Sequence, residues 1–435
     1  MKNLILVFSL ILTSIAVGQE APTNMSLQEA IDYALENNRT AKNAVLDIEA
    51  AIKQKWETTA TGLPQLNAAV DYQNALKRNV FVFGDQVIQV GSKHTLTGTA
   101  TLSQLLFDGS YLVGLQSAKV YLEISKNAKT KTDLEVRKAV INAYGNVLLA
   151  EESVAILERN ISVLEKNLND ITKIFENGLE EEESVEQLKI TLSSVKSNLN
   201  NTTRLKDLAY QMLNLTIGKP INDTTVLTED LDALALQNIK LELLDTDNSI
   251  ENNIDYKIAQ NDKTSKELLV KLEKSKALPS LSAFINGGYT GNRESFNFTN
   301  TNEKWYGSSI FGVSLNVPIF SSGMRSAATQ RAKINLEKAD INLTETEQML
   351  NLQIESAKSD YQFAIEDYQN KKENLTLAER IETKNQTKFF EGIGSSFELR
   401  QAQTQLYTAQ QELLQTMLDV ITKKAELETL LNTTN

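Results

Sequence analysis

An internal duplication constrains the fold of this 435-residue chain more than any other feature of its sequence. Three sequence features recur at almost one spacing, between 213 and 215 residues apart. A repeat of this kind predicts that one supersecondary unit is used twice. We therefore expect two related halves. The recurring features are Leu63-Pro64 and Leu278-Pro279, Phe107 and Phe320, and Gly178 and Gly392.

Each half contains a very long helical pattern. In the first half, apolar side chains step by alternating four and three residues, which is the seam of a coiled coil. The chain has only 5 Pro and 18 Gly, so few residues interrupt its elements. A helix over about 110–175 would be roughly 100 Å long, more than a globular core needs. The seam positions are Val136, Val140, Ala143, Val147, Ala150, Val154, Leu157, Ile161, Leu164, Leu168, Ile171 and Phe175.

A second helix is expected after each of the two glycines, Gly178 and Gly392. The apolar positions of residues 185–202 match those of 399–416 at an offset of 214. Each half therefore ends in a helical hairpin, over about 110–217 and 324–432. In the second half the seam is weaker and is interrupted at Lys371.

Two segments of each half change to a period of two residues, which indicates strands. In the first half, Leu66, Ala68, Val70 and Tyr72 alternate with mostly polar residues. We predict β-hairpins over about 63–107 and 278–320, with strands at 66–72, 94–106, 281–289 and 305–320. Such strands approach the roughly 9–11 residues that a tilted transmembrane strand needs. Residues 76–92 and 291–304 read as water-exposed loops.

The N-terminus has the pattern of a secretory signal over residues 1–18. Lys2 precedes the apolar stretch from Leu4 to Val17, and cleavage is expected before Gln19. The alternative is a buried N-terminal helix. We then expect a first repeat at 19–217, a surface-lying equatorial linker at 218–247 and a second repeat at 248–435. The first repeat opens with a helix over about 26–61 that begins in a capping box formed by Ser26 and Glu29.

Four strands in one chain cannot close a barrel. A membrane excludes open sheet edges, and the smallest membrane barrels have about eight strands. If these strands enter lipid, several copies must combine, and three copies would supply twelve strands. The predicted fold class is mainly α with a small β part, in which long antiparallel coiled-coil hairpins accompany a shared transmembrane barrel.

The composition argues against several other functions. The net charge is −12, which disfavours a nucleic-acid partner. There is no Cys, and the single histidine, His94, reads as a surface residue without the partners that a metal site or catalytic dyad requires. No Gly-rich phosphate loop occurs. We expect no cofactor, no metal and no enzymatic activity.

The order and spacing of these features resemble the TolC-like outer-membrane efflux protein family over essentially the whole mature chain. The resemblance implies a homotrimer with a twelve-stranded barrel in outer-membrane lipid and a periplasmic helical tunnel. It also implies a periplasmic adaptor protein and an inner-membrane transporter of the RND or ABC type. The segments that resemble the family are 26–38, Leu63-Pro64, Leu278-Pro279, Gly178-Leu179 and Gly392-Ile393.

By that resemblance the two turns form the tunnel tip. The adaptor-docking residues would be Gly178, Leu179, Val185, Gly392, Ile393 and Leu399. The glycines also read simply as helix C-caps.

The entrance gate would comprise Glu180, Glu181, Glu182, Glu183, Glu398 and Arg400. An acidic run of this kind also reads as a solvated helix start. Family members often carry carboxylates six and nine positions after the second glycine. Here those positions are Glu398 and Gln401, so one of the two is neutral. Arg400 could pair with a carboxylate of a neighbouring helix and so hold the tip shut.

Aromatic side chains lie near the ends of the predicted strands. Tyr72, Tyr289, Trp305 and Tyr306 suit an interfacial aromatic belt, or ordinary packing. The function predicted is a passive exit duct of a tripartite efflux or type I secretion system. The alternative is a periplasmic or secreted coiled-coil structural protein without a barrel.

Overall fold

A computed structural model describes residues 23–246 and 250–432, and it is mainly helical with a smaller strand part, as predicted. The predicted signal peptide lies outside the described residues. The helices are α1 (Leu27–Asn37), α2 (Arg39–Ala60), α3 (Gly109–Glu176), α4 (Glu182–Ile217), α5 (Leu231–Gln237), α6 (Ile254–Ser275), α7 (Met324–Phe390) and α8 (Ser396–Leu431). The strands are β1 (Asn24–Met25), β2 (Gln65–Asn74), β3 (Asn79–Phe83), β4 (Gln86–Val90), β5 (His94–Asp108), β6 (Val226–Leu227), β7 (Ser280–Arg293) and β8 (Trp305–Asn316).

The chain divides into two compact units that do not follow the two halves of the sequence. The first unit contains the residues up to Asn43, Lys131–Ile250 and the residues from Leu350. The second unit contains Ala44–Thr130 and Glu251–Met349. The helices α3 and α7 begin in the second unit and end in the first, so each half contributes to both units.

The second unit is organised around a four-stranded antiparallel sheet. Its strand order is β2-β5-β7-β8, so β2 and β8 are the edge strands. Residues that are directly opposite in such a ladder share a face. Leu66, Leu102, Ile285 and Phe311 therefore form one row across all four strands.

The two faces of this sheet differ in polarity. The apolar face carries the row of Leu66 and a second row of Tyr72, Leu96, Gly291 and Trp305. The polar face carries hydroxyl and amide side chains, three pairs of which are hydrogen-bonded across β5 and β7. These pairs are Thr95 and Asn292 (3.2 Å), Thr97 and Thr290 (3.2 Å), and Asn286 and Thr101 (2.7 Å).

Long helices dominate the first unit, and their contacts confirm the predicted coiled-coil seam. Val140, Val147 and Leu164 of α3 are fully buried. The seam packs on α4, α7 and α8 in two apolar clusters. The last seam position, Phe175, is partly exposed. Lys371, which interrupts the weaker seam of α7, forms a 3.0 Å ion pair with Glu412 of α8.

The prediction of one helix over 26–61 is wrong at Asn38. This residue has ψ 136° and ends α1. Its side-chain oxygen accepts hydrogen bonds from the backbone N–H groups of Thr40 (2.7 Å) and Ala41 (3.2 Å), so it also starts α2. An Asn side chain can compete in this way with the helical backbone. The predicted capping box of Ser26 is present, and its hydrogen bonds lower the pKa of Glu29.

The linker between the two halves is more deeply packed than a surface-lying segment. Leu231, Leu234 and Ala235 of α5 are buried in the main apolar cluster. The strand β6 pairs in parallel with β1, with Asn24 opposite Val226. The apolar spacing of a short helix was sufficient for burial, although the flanking polar residues indicated a surface segment.

The loop predicted at 76–92 contains a hairpin of β3 and β4. Val80 is opposite Gln89 and Phe81 is opposite Ile88, and the reversal uses Gly84 at φ 61°. The last predicted strand also ends at Asn316 rather than at Phe320. Pro318 follows two residues later and cannot donate to a ladder.

Gly218→Ala should destabilise the first unit by about 1–2 kcal/mol or more, because Gly218 has φ 91°. An added Cβ would also lie 2.4 Å from the carbonyl oxygen of Asn37. Gly114→Ala in α3 is the control. Its added Cβ would meet only Thr58, at 3.8 Å, and alanine favours a helix more than glycine does, so this variant should be slightly more stable. The measurement is the melting temperature of each variant, followed by circular dichroism. Equal melting temperatures of the two variants would contradict this expectation.

Candidate functional site

The two helix reversals at Gly178 and Gly392, called the turns below, have the same backbone geometry. Gly178 has φ 75° and Gly392 has φ 74°. The N–H of Leu179 donates to the carbonyl of Ile174 (3.1 Å), and the N–H of Ile393 donates to that of Lys388 (3.0 Å). These six-to-one hydrogen bonds define Schellman caps, which require a left-handed residue. The role of both glycines as helix C-caps is therefore observed.

Side-chain exposure divides the residues expected at the tip into two groups. Leu179 is 77% exposed and Ile393 is 72% exposed. Val185 and Leu399 are only 5% and 3% exposed, and they pack in the same apolar cluster as Ile171. Of the residues expected to contact the adaptor, only Leu179 and Ile393 therefore present an exposed apolar side chain. Val185 and Leu399 instead hold the helices beneath the turns.

The acidic run after the first turn lies at the start of α4. Glu182 and Glu183 occupy the first helical turn, and Glu181 is the N-cap without a side-chain capping bond. Glu180 accepts a 2.5 Å hydrogen bond from Ser184, and Glu183 accepts one of 2.6 Å from Gln187. Negative charge is favourable at a helix N-terminus, so the run stabilises α4 whether or not it also faces a channel.

The second turn is capped differently. The hydroxyl of Ser395 accepts from the N–H of Glu398 (3.2 Å), and the carboxylate of Glu398 accepts from the N–H of Ser395 (3.2 Å). This reciprocal pair is a capping box. Glu398 therefore has a structural role in addition to the gate role expected from the resemblance.

Two polar contacts join the turn regions of the two halves. Ser184 Oγ lies 3.0 Å from Ser396 Oγ, and the guanidinium of Arg400 donates to the side-chain oxygen of Gln187. Arg400 also lies over the ring of Phe397, 5.5 Å from its centroid. The partner of Arg400 on the neighbouring helix is thus an amide and not the carboxylate considered from the sequence.

The duplication in the sequence points to these contacts. The gate positions predicted from the resemblance, six and nine residues after the glycine, belong to the second turn only. The same spacing after Gly178 leads to Ser184 and Gln187, which are the residues that contact the second half. Applying the duplication to the gate positions would have identified both.

Farther along the helices, the half-buried carboxyl group of Glu382 lies near Gln403. Burial raises the pKa of Glu382, and its neighbour Gln403 offsets part of that rise. Tyr407 of α8 is close by, and burial followed by the charge of Glu382 raises its pKa. Gln403 itself is only 1% exposed. Period and spacing gave no indication of this group, because its members lie on different helices.

At one end of the sheet, aromatic rings cluster on the apolar face. Phe296 packs edge-on against Tyr72, with ring centroids 5.4 Å apart. Phe298 lies 6.2 Å from Tyr72 and 6.2 Å from Trp305. The cluster lies where β2 ends and β8 begins. Of the four residues expected in an interfacial belt, Tyr72 and Trp305 belong to this cluster, and Phe296 and Phe298 join them from the segment predicted to be a loop.

His94 lies within this cluster, so its assignment as a surface residue is wrong. It is 9% exposed, and its Nδ1 is 2.8 Å from the hydroxyl of Tyr72. Arg293, its partner on β7, is 4% exposed and lies near the rings of Phe298 and Trp305. Across residues 23–246 and 250–432, no group of three or more His, Cys, Asp or Glu side chains is arranged to hold a metal ion.

Comparison of the sequence with known proteins relates this chain to outer membrane efflux proteins. The sequence model of the family described as outer membrane efflux protein matches the chain twice, at residues 30–219 and 246–433. The outer membrane protein TolC of Vibrio cholerae is 24% identical over 311 residues, which are 71% of this chain and 68% of TolC.

Solved structures show the same fold at low identity. The structure of CusC, described in terms of transmembrane channel formation, aligns with a TM-score of 0.75 at 19% identity, over 93% of this chain and 91% of CusC. The open-state outer membrane channel MtrE of Neisseria gonorrhoeae aligns with a TM-score of 0.72 at 20% identity, over 93% of this chain and 88% of MtrE.

Ser395→Ala should remove the capping box at the second turn and destabilise the start of α8 by about 1 kcal/mol. Hydrogen exchange of the amides at 396–399 should become roughly fivefold faster. Glu398→Gln is the matched control, because Gln can also complete a capping box. Equal exchange rates in the Ser395→Ala variant and the unmodified protein would contradict this assignment.

Glu382→Gln should stabilise the helical hairpins at neutral pH. The pKa of Glu382 is raised in the fold from 4.5, so its ionised form favours unfolding. The unmodified protein should therefore lose stability relative to the variant as the pH rises from 4.5 through the raised pKa. Glu379→Gln, at an exposed position of the same helix, is the control. The measurement is the difference in melting temperature across this range, and a constant difference would contradict the expectation.

Proposed function

Because this chain belongs to the outer membrane efflux protein family and resides in the outer membrane, we propose that three copies form the exit duct of a tripartite efflux or type I secretion system. The observation that carries the proposal is the four-stranded sheet, with one apolar face, one polar face and two edge strands. In lipid, every backbone polar group must be paired within protein. The edge strands β2 and β8 therefore need partners from other copies.

A closed barrel of three such sheets would use both faces. The apolar rows of Leu66 and Tyr72 would contact lipid, and the Thr-rich face would line a water-filled passage. The aromatic cluster of Tyr72, Phe296, Phe298 and Trp305 would lie at one membrane interface. Twelve strands suffice for a barrel, whereas four do not.

The helices also present a surface suited to another copy. In the first unit, a cavity of about 640 Å³ lies between α3 and α4, and most of its lining is apolar. Leu205, Leu208 and Met212 beside it are each more than half exposed. A helix from an adjacent copy would cover this groove, as side-by-side packing of long hairpins requires.

We place the gate and the adaptor contact at the turns. Leu179 and Ile393 would touch a periplasmic adaptor, above the capping glycines Gly178 and Gly392. The acidic residues Glu180–Glu183 and Glu398, together with Arg400, would control the entrance. The Arg400–Gln187 and Ser184–Ser396 contacts hold the two turn regions together, so opening by the adaptor and an inner-membrane pump would break or rearrange them.

A periplasmic or secreted coiled-coil protein remains the alternative of a different class. It would need no sheet with an apolar face and unpaired edges. Such a sheet in water would expose Leu66, Val70 and Phe311, which are 72%, 74% and 71% exposed in the single chain. Exposed apolar edge strands of this kind lead to aggregation, so the sheet favours the membrane duct.

Val70→Arg and Ala69→Arg test the proposed barrel as a matched pair, because the two adjacent positions of β2 lie on opposite faces. Arginine at position 70 should cost roughly 2–4 kcal/mol in lipid and reduce the yield of membrane-inserted trimer. Arginine at position 69, in the passage, should be tolerated.

The assay is membrane fractionation with chemical cross-linking, followed by gel analysis of trimer. Recovery of the unmodified protein as a soluble monomer without detergent would overturn the proposed function. Equal effects of the two substitutions would show that the two faces have been assigned wrongly.

A further inference from the structure

The hairpin of β3 and β4, residues 79–90, is apolar on both of its faces. On one face Phe81 is paired with Ile88, and on the other Val82 is paired with Val87. In the single chain Phe81, Val82 and Phe83 are 66%, 67% and 83% exposed. All ten strand residues of the hairpin are exposed. The hairpin therefore has two uncovered apolar surfaces.

Such a hairpin needs a covering partner. A two-stranded hairpin alone is at best marginally stable in water. Contiguous exposed apolar surface on a protein commonly marks an interaction site. From Asn79 to Val90 the only charged residue is Asp85, which is in the turn, while Lys77, Arg78 and Lys93 lie at the base. The apolar part is thus bounded by charges at both ends.

The position of the hairpin argues against lipid chains as the partner. The N–H of Ala75 donates to the carbonyl of Lys93 (2.9 Å), so the hairpin continues the β2–β5 ladder beyond its last pair, Asn74 and His94. The strand β7 ends at Arg293, opposite His94. The hairpin extends roughly 20 Å farther, at about 3.3 Å per residue.

The aromatic cluster indicates where the hairpin lies relative to the membrane surface. Tyr72 belongs to this cluster and lies seven residues before Asn79. Tyr and Trp side chains concentrate at the membrane–water interface. If the cluster marks that interface, residues 79–90 lie outside the hydrocarbon layer, and protein is the remaining partner for their apolar side chains.

We propose that each hairpin packs against the equivalent hairpins of the other two copies, forming an apolar interface over the outer mouth of the barrel. This inference rests on the proposed trimer. The hairpin emerges directly from β2, the edge strand that pairs with another copy when the barrel closes, so each hairpin stands beside a junction between copies. An ion pair between Arg78 and Glu294 holds the base of the hairpin to the segment that follows β7.

An interface of this kind would narrow the exit of the duct. Phe83 lies next to the turn and is the most exposed of the large apolar side chains of the hairpin. Three hairpins meeting there would create an apolar constriction, which impedes ions and water more than a polar passage of equal width does. The rim of the exit would then differ in chemistry from the Thr-rich passage below it.

The absence of Cys from the chain allows a direct test with single cysteines. Phe83→Cys in the full-length protein, extracted as trimer in detergent, is treated with a short bis-maleimide. We expect a cross-linked dimer band after denaturation, because one cysteine per chain can join two of three copies. Thr299→Cys, in the exposed loop between β7 and β8, is the control and should remain monomeric.

A second substitution tests whether apolar packing holds the hairpins together. Phe81→Ser in the Phe83→Cys background should lower the cross-linked fraction at least about threefold, because it removes a large part of the apolar contact area. An unchanged fraction would overturn the packing proposal. Trimer content is measured on unheated gels for every variant.

The remaining outcomes separate the two proposals. Intact trimer without a Phe83→Cys cross-link would overturn the hairpin interface and leave the duct standing. Labelling of Phe83→Cys by a photoreactive phospholipid in vesicles would likewise overturn it, in favour of a lipid partner. Failure of the unmodified protein to form any trimer would instead contradict the proposed function.

Discussion

The unpaired backbone of β2 and β8 is the constraint on which the other features of this protein depend. A four-stranded sheet whose apolar face suits lipid cannot stand alone in a membrane, because its edge N–H and C=O groups would have no partner there. Pairing with other copies, as proposed, would satisfy both edges at once. The same assembly would cover the apolar groove between α3 and α4 and the exposed hairpin of β3 and β4.

The duplicated halves perform the same structural task with different chemistry at the turns. Both turns use a left-handed glycine and a Schellman cap. The first is followed by an acidic run without a side-chain cap, and the second by the capping box of Ser395 and Glu398. The contacts Ser184–Ser396 and Gln187–Arg400 join these unlike regions directly. A gate assembled from three copies would therefore alternate two kinds of hairpin.

Much of the fold was predictable because it depends on local periodicity. The seam from Val136 to Val147 and on to Leu164 predicted a long helix, and α3 confirms it within one residue at each end. The alternation from Leu66 to Tyr72 predicted both the strand and its two faces. The break at Asn38 was missed, since one side chain competing for two backbone N–H groups leaves the helical period unchanged. The hairpin of β3 and β4 was missed because polar and charged residues on either side suggested a loop.

By itself the sequence determined the long helices, the strand faces and the turns at Gly178 and Gly392, because periodicity and glycine positions are local properties. Only the tertiary structure decided which side chains meet across elements. It buried His94 beside Phe296 and brought the half-buried carboxyl group of Glu382 close to Tyr407. Contacts of this kind depend on how helices and strands distant in sequence are brought together, and no local pattern encodes that.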